Sequence, residues 1–171
     1  MEILGSIKKK ILTEKDLPKL REKYKDKKIV FISGCFDILH TGHAILFNRA
    51  RQLGDVLVAG VGTDNVIKQL KGSTRPINLQ NDRLLLVAAM QDVDYAILNQ
   101  DVLEKGEVDW RKTMTLLKPN IFTINEDNAK LDINKEVCDE LGVEFIVLSR
   151  STLSGLNPTS TTEIVKKLSN K

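Results

Sequence analysis

Few residues of this chain belong to the kinds that build special-purpose frameworks: two cysteines, four prolines, one tryptophan and two histidines among 171 residues. Cys35 and Cys138 lie far apart and match no redox or metal-binding spacing, which excludes a disulfide scaffold and a cysteine metal cluster. Reduced thiols in a cytoplasmic protein are the expectation. No run approaches the roughly 18 consecutive apolar residues that span a bilayer, and the start does not read as a signal peptide, so no membrane partner is expected. Aromatic residues make up only 5% of the chain while 42% is apolar, so a core must come mainly from Ile, Leu, Val and Ala. A chain of this length buries such a core as one domain without staples.

Charge of one sign is also scarce once its location is known. The formal net charge is +3, but residues 1–28 carry ten Lys/Arg against five Asp/Glu, which leaves the remainder at −2. That basic start reads as the solvated face of an amphipathic helix, and no nucleic-acid partner is expected from it. The helix is expected over 14–25, with Thr13 as N-cap. Residues 1–28 are thus read as an appended helical segment, ahead of a domain at 29–171.

What the chain has in quantity is alternation. Residues 27–34 (KKIVFISG) and 54–62 (GDVLVAGVG) are short, β-branched, almost continuously apolar runs, the pattern of strands buried on both faces of a parallel sheet. Between them Ile45, Leu46, Ala50 and Leu53 recur at helical spacing, with Gly54 as a candidate C-cap. Helices follow over 79–91, 110–117, 134–141 and 161–168, interleaved with strands over 93–98, 120–124 and 143–148. Five strands alternating with helices predict an α/β fold, a Rossmann-like doubly wound five-stranded parallel sheet. Ligands in such sheets bind beyond the carboxyl ends of the strands, where the first strand turns into its helix.

That turn is FISGCFDILHTGH, residues 31–43, and it holds both histidines. Gly34 and Gly42 are expected to keep side chains out of a ligand's way. His40 and His43, at i and i+3 around the first helical turn, project to one side, where unsatisfied N–H groups and the helix dipole favour an anion. Two imidazoles there read as a phosphate site. Zinc would need a third ligand from Cys35 or Asp37, a thin set by the usual counts. The GVGTDN run at 60–65 begins like a dinucleotide fingerprint but lacks its third glycine, so Gly60 and Gly62 are read as serving a tight strand end. At the last helix, Ser160 with Glu163 makes a capping box that needs no ligand, yet Ser160, Thr161 and Thr162 could face the same sheet edge as a second phosphate clamp. Lys71, Arg75 and Arg83 punctuate a Gly–Pro loop at 69–83, either as surface charge or as cations that close over a polyphosphate.

GCFDILHTGH together with STTEI resembles the nucleotidyltransferase superfamily with a His-x-Gly-His signature, which includes the cytidylyltransferases, over about residues 11–168. ARQLGDVLVAGVGTDNVIKQLKGSTRPIN followed by DRLLLVAAMQDVDYAI is similar to the heptose 1-phosphate adenylyltransferase branch, which makes ADP-heptose for bacterial surface polysaccharide. The resemblance implies that His40 and His43 stabilise phosphates and the charge at the α-phosphorus, that Lys71 reaches the triphosphate and that Arg83 holds phosphates or acceptor. It implies outer-phosphate contacts from Ser160 to Thr162, and a nucleotide pocket lined by Cys35, Phe36 and Asp37. Asp127 in INEDN and Arg150 fall near base and acceptor, where the chain departs from the family pattern. Mg²⁺ bound mainly through substrate phosphates is implied as cofactor, with a nucleoside triphosphate and a phosphorylated small molecule as partners, in a homodimer. Gln91 stands where the glycerol-phosphate cytidylyltransferases show arginine, which tilts the expectation towards ATP. A cytidylyltransferase for glycerol 3-phosphate is the alternative, and a nucleotide-binding regulatory module is the non-enzyme one.

Overall fold

A computed structural model describes residues 4–99, 108–126, 131–149 and 160–169. Its strands are β1 (Ile11–Leu12), β2 (Ile29–Gly34), β3 (Val56–Gly62), β4 (Tyr95–Asn99), β5 (Ile121–Asn125) and β6 (Glu144–Leu148). Between them run α1 (Gly5–Lys8), α2 (Leu17–Lys23), α3 (Thr41–Arg51), α4 (Asp64–Lys71), α5 (Gln80–Ala89), α6 (Arg111–Leu117), α7 (Leu131–Leu141) and α8 (Thr161–Ser169). All pairings are parallel, in the order β1-β4-β3-β2-β5-β6.

The period-2 geometry of a strand sends alternate residues to opposite layers. Val30 and Ile32 of β2, with Leu57, Ala59 and Val61 of β3, pack with Leu46, Phe47 and Ala50 of α3 and Leu84, Val87 and Ala88 of α5. Ile29, Phe31, Val56 and Val58 face the other way, onto Leu17 and Leu20 of α2, Met114 and Leu117 of α6, and Val137 and Cys138 of α7. β2 is central: the chain winds out from it through β3 and β4, then crosses back to β5 and β6. The switch point therefore opens beyond the carboxyl ends of β2 and β5.

Three features differ from the sequence expectation. The sheet has six strands, not five: Ile11 and Leu12 pair with Ala96 and Ile97 at the edge. A two-residue strand is too short to leave a periodic signal. Thus the basic start contributes a strand and two core leucines, Leu17 at 0% and Leu20 at 6% exposure, beyond its helix. That helix begins with a 3₁₀ turn, Glu14–Asp16, where the Asp16 carboxylate accepts from the Thr13 N–H at 2.8 Å and from its hydroxyl at 2.6 Å. Second, α4 fills part of what reads as loop. Thr63 caps it, accepting from the Val66 N–H at 3.4 Å, and Gly72 at φ +90° closes it. Third, Gly60 lies inside β3 rather than at a strand end. A Cβ there would come within 2.4 Å of the Trp110 ring and 2.7 Å of Phe31, so the glycine seats the indole over the sheet.

Candidate active site

The site is built on the turn from β2 to α3. Phe36 (φ 49°) and Ile38 (φ 51°) both adopt left-handed backbone, which is costly for side chains other than glycine and rare for a β-branched one. The Phe36 ring folds back over Gly34, where a Cβ would lie 2.8 Å from it. Gly34 is thus required by this chain's own phenylalanine, which corrects the expectation that it only clears room for a ligand. Phe36 then packs against Phe47 at 4.9 Å and edge-on to His43 at 5.6 Å, centroid to centroid.

His40 is the N-cap of α3, its Nδ1 accepting from the Gly42 N–H at 3.2 Å. An accepting Nδ1 puts the proton of the neutral ring on Nε2, where it can be donated to an anion. The His43 N–H bonds the His40 carbonyl at 2.9 Å, and the helical spacing brings the imidazoles together, with centroids 4.0 Å apart and planes at 31°. Burial, aided by the charges of His40 and Lys71 and opposed by Asp37, pushes His43 down from 6.5 to about 3. At neutral pH the ring is uncharged. Its Nδ1 is buried without a hydrogen-bond partner, a costly state that a ligand oxygen or donor would relieve.

Asp37, 2% exposed, is read from sequence as pocket lining, but its carboxylate is taken by the chain itself. It accepts from the N–H of Ile77 at 3.0 and 3.1 Å and of Asn78 at 3.0 Å, and it pairs with Arg75 at 3.3 Å. Its backbone carbonyl accepts from the Thr161 hydroxyl at 2.6 Å. One residue thus ties the loop after α4 and the start of α8 to the histidine turn. Ser160 and Glu163 form the capping box expected of them: Glu163 N–H to Ser160 Oγ at 3.2 Å, Ser160 N–H to Glu163 Oε2 at 2.7 Å.

Lys71, Arg75, Thr162, Val165 and Lys166 line an open cleft of about 330 Å³ between the end of α4 and the start of α8. Three cations and a hydroxyl line it, and among the described residues none of the lining is acidic. Lys71 serves both places, since its charge is also felt at His43. Lys166 was not legible as a site residue. The only sequence signal is its i+4 spacing from Thr162, which puts both on one helix face.

Arg83 is the main correction. Expected at the phosphates, it is fully buried, at 0% exposure. Its Nε donates to Asn78 O at 2.9 Å, Nη1 to Cys35 O at 2.6 Å and Gly62 O at 2.7 Å, and Nη2 to Asp64 Oδ1 at 2.8 Å. The half-buried Cys35 therefore meets Arg83 through its carbonyl. Removing one partner of such a buried pair typically costs about 3–5 kcal/mol. Asp127 and Arg150 lie outside the described residues.

The fold and site define an α/β protein with a doubly wound parallel sheet, whose switch-point turn brings two imidazoles together next to a cationic cleft. The family model described as Cytidylyltransferase-like matches residues 31–167, and the chain belongs to that family. It is 37% identical over 145 residues to the bifunctional protein HldE of Aliarcobacter butzleri, covering 83% of this chain and 29% of that protein. It is 41% identical over 129 residues to the Helicobacter pylori (strain P12) protein of the same name, covering 75% and 25%. The chain spans less than a third of these curated relatives. Among solved structures, the lipopolysaccharide core biosynthesis protein of Thermoplasma volcanium matches with TM-score 0.59 at 31% identity, over 75% of this chain and 99% of that one. A Francisella tularensis pantoate-beta-alanine ligase matches with TM-score 0.63 at 20% identity, over 94% of this chain and 78% of that one, a likeness of fold alone.

Proposed function

We propose that the chain transfers a nucleotidyl group from a nucleoside triphosphate, ATP before CTP, to the phosphate of a sugar phosphate such as heptose 1-phosphate, releasing pyrophosphate. The carrying observation is the close, tilted His40–His43 pair at the start of α3, flanked by Lys71 and the cleft that Lys71 shares with Arg75, Thr162 and Lys166. An acceptor phosphate oxygen attacks the α-phosphorus in line, the new O–P bond forms, and the bond to the β-phosphate oxygen breaks with both electrons leaving on pyrophosphate. The attacking oxygen is already ionised, so no protein nucleophile or base is required. The chain's work is positioning and electrostatic stabilisation. On this reading His40 Nε2–H donates to oxygens at the α-phosphorus, while Lys71, Arg75, Lys166 and the Thr162 hydroxyl hold the outer phosphates.

Mg²⁺ would supply charge neutralisation on the triphosphate. Among the described residues no three His, Cys, Asp or Glu side chains are grouped to hold an ion, and the buried Asp37 carboxylate is already engaged. That donor set fits an ion carried by phosphates and water. A homodimer in the cytoplasm completes the reading. No helix among the described residues is long and apolar enough to cross a membrane.

The test is a matrix of ATP, CTP, GTP and UTP against heptose 1-phosphate, glycerol 3-phosphate and other phosphorylated acceptors, read by pyrophosphate release. Turnover confined to CTP with glycerol 3-phosphate would favour the cytidylyltransferase. Nucleotide binding without turnover across the matrix would favour a regulatory module.

A further inference from the structure

The ladder between β2 and β3 stops at Gly34 opposite Val61. One residue further on, the carbonyls of Cys35 and Gly62 both turn to the same nitrogen, Nη1 of Arg83, at 2.6 and 2.7 Å. The guanidinium thus takes over the cross-strand bonding where the backbone stops providing it. Cys35 immediately precedes Phe36, whose left-handed backbone lays its ring against His43. The other end of the guanidinium holds Asp64, the first residue of the helix that carries Lys71. A strained conformation persists only where surrounding structure over-determines it, and here the fixings come from α5, from α8 through Thr161, and from the loop held by Asp37.

We propose that Arg83 is a positioning residue for the histidine pair: through the Cys35 carbonyl and the Phe36 ring it holds the His43 imidazole against His40, and through Asp64 it sets the helix that presents Lys71. Touching no ligand itself, it acts on turnover only through these groups. The inference rests on the nucleotidyl-transfer reading for its kinetic consequence, whereas its structural half stands apart from that reading.

The experiment compares wild type, Arg83→Lys and Phe36→Leu. Lysine keeps a positive charge beside Asp64 but cannot span the four acceptors that the guanidinium fork reaches. Because the chain has two histidines, their ring signals in NMR are assigned with two single variants, His40→Asn and His43→Asn. In the wild type His43, surrounded by the charges of His40, Lys71 and Asp37, resists protonation far below the ordinary histidine range. In Arg83→Lys it is expected to titrate closer to that range, with kcat lowered roughly 10–100-fold, the scale of a misplaced catalytic group. The Kd for ATP is expected to change less than about threefold, because lysine keeps a positive charge beside Asp64 and so holds the helix that presents Lys71.

An unchanged His43 titration in Arg83→Lys overturns the proposal whatever the activity does. So does a shifted titration with kcat intact, or a loss of ATP binding of tenfold or more, which would mark a direct phosphate contact. Should Arg83→Lys fail to fold, Phe36→Leu carries the test. It removes the ring and leaves the arginine's bonds, so His43 must again titrate higher, and an unchanged titration refutes the proposed relay. Absence of turnover in the wild type, with His43 still responding to both substitutions, defeats the proposed reaction and leaves the positioning role standing.

Discussion

His43→Asn should change how stability responds to acid. The unfolded chain binds a proton at residue 43 near pH 6.5, while the folded chain excludes it until about pH 3. Between those values the unfolded state holds more protons, so stability rises with pH. The contribution is therefore fully present above pH 6.5 and is lost as pH falls towards 3. At about 1.36 kcal/mol per pH unit the loss is capped at about 5 kcal/mol. Linkage gives about 2 kcal/mol of it at pH 5 and about 3 kcal/mol at pH 4. The assay is urea unfolding of wild type and His43→Asn at pH 7, 6, 5 and 4, read as the stability difference at each pH. Carboxylates and His40 are present in both proteins, so their titration largely cancels in that difference. The variant is expected to gain on the wild type by about 2 kcal/mol between pH 7 and pH 5. A difference that stays flat within about 0.5 kcal/mol would show that His43 titrates as an ordinary exposed imidazole, and the buried, stacked geometry would be refuted as the cause of its neutrality.

Three further outcomes can be checked alongside. His40→Asn and His43→Asn should each lower kcat by roughly 10²–10³, the scale of losing one preorganised donor, with the thermal midpoint at pH 7 little changed; normal turnover in either would remove the pair from the chemistry. Ser160→Ala should cost about 0.5–2 kcal/mol in chemical denaturation through its lost cap, while Ser160→Asp should stay stable yet turn over poorly, because a carboxylate at that helix start repels phosphates. Lys166→Ala should raise the KM for ATP roughly tenfold with kcat nearly unchanged, since an exposed cation in the cleft adds binding more than transition-state discrimination; an equal fall in kcat would place Lys166 at the reacting centre.

Much of the architecture was legible because it is written in local periodicity. The almost continuous apolar runs of β2 and β3, the helical spacing of Leu46 and Ala50, and the Ser160–Glu163 box each depend on residues within a few positions of one another. What escaped depends on unusual backbone conformation or on partners distant in the chain. Gly34 and Gly60 are dictated by rings, one two residues away in a left-handed turn and the other, Trp110, reaching over the sheet from the start of α6. An arginine at 83 reads as surface charge or, by resemblance, as a phosphate or acceptor ligand, because a sequence does not show that two carbonyls at the ends of neighbouring strands, a loop carbonyl and the carboxylate of Asp64 converge on it. β1 was too short to signal itself. α4 could have been read, since Thr63 at the cap, Val66 and Ile67 on one face and Gly72 after the end are ordinary helix boundaries.

The geometry also separates two kinds of work that the sequence reading ran together. Lys71, Arg75 and Lys166 line the cleft, and on the proposed reaction a polyphosphate would meet them equally before and during transfer. Interactions of that kind lower KM and leave the barrier from the bound state nearly as it was. The imidazoles differ. His43 is half-buried and kept uncharged, while His40 is oriented by the bond that its Nδ1 accepts from the Gly42 N–H. Donors fixed in such a turn gain most where negative charge accumulates as bonds rearrange, and they require no reorganisation at that moment. A permanent cation in their place would grip substrate and transition state alike. On the proposed reaction, cations at the outer end of the phosphate chain and preorganised donors at its inner end would give a physical reason for packing His43 against Phe36. On the proposed reaction, substitutions in the cleft should register chiefly in KM and substitutions in the turn chiefly in kcat.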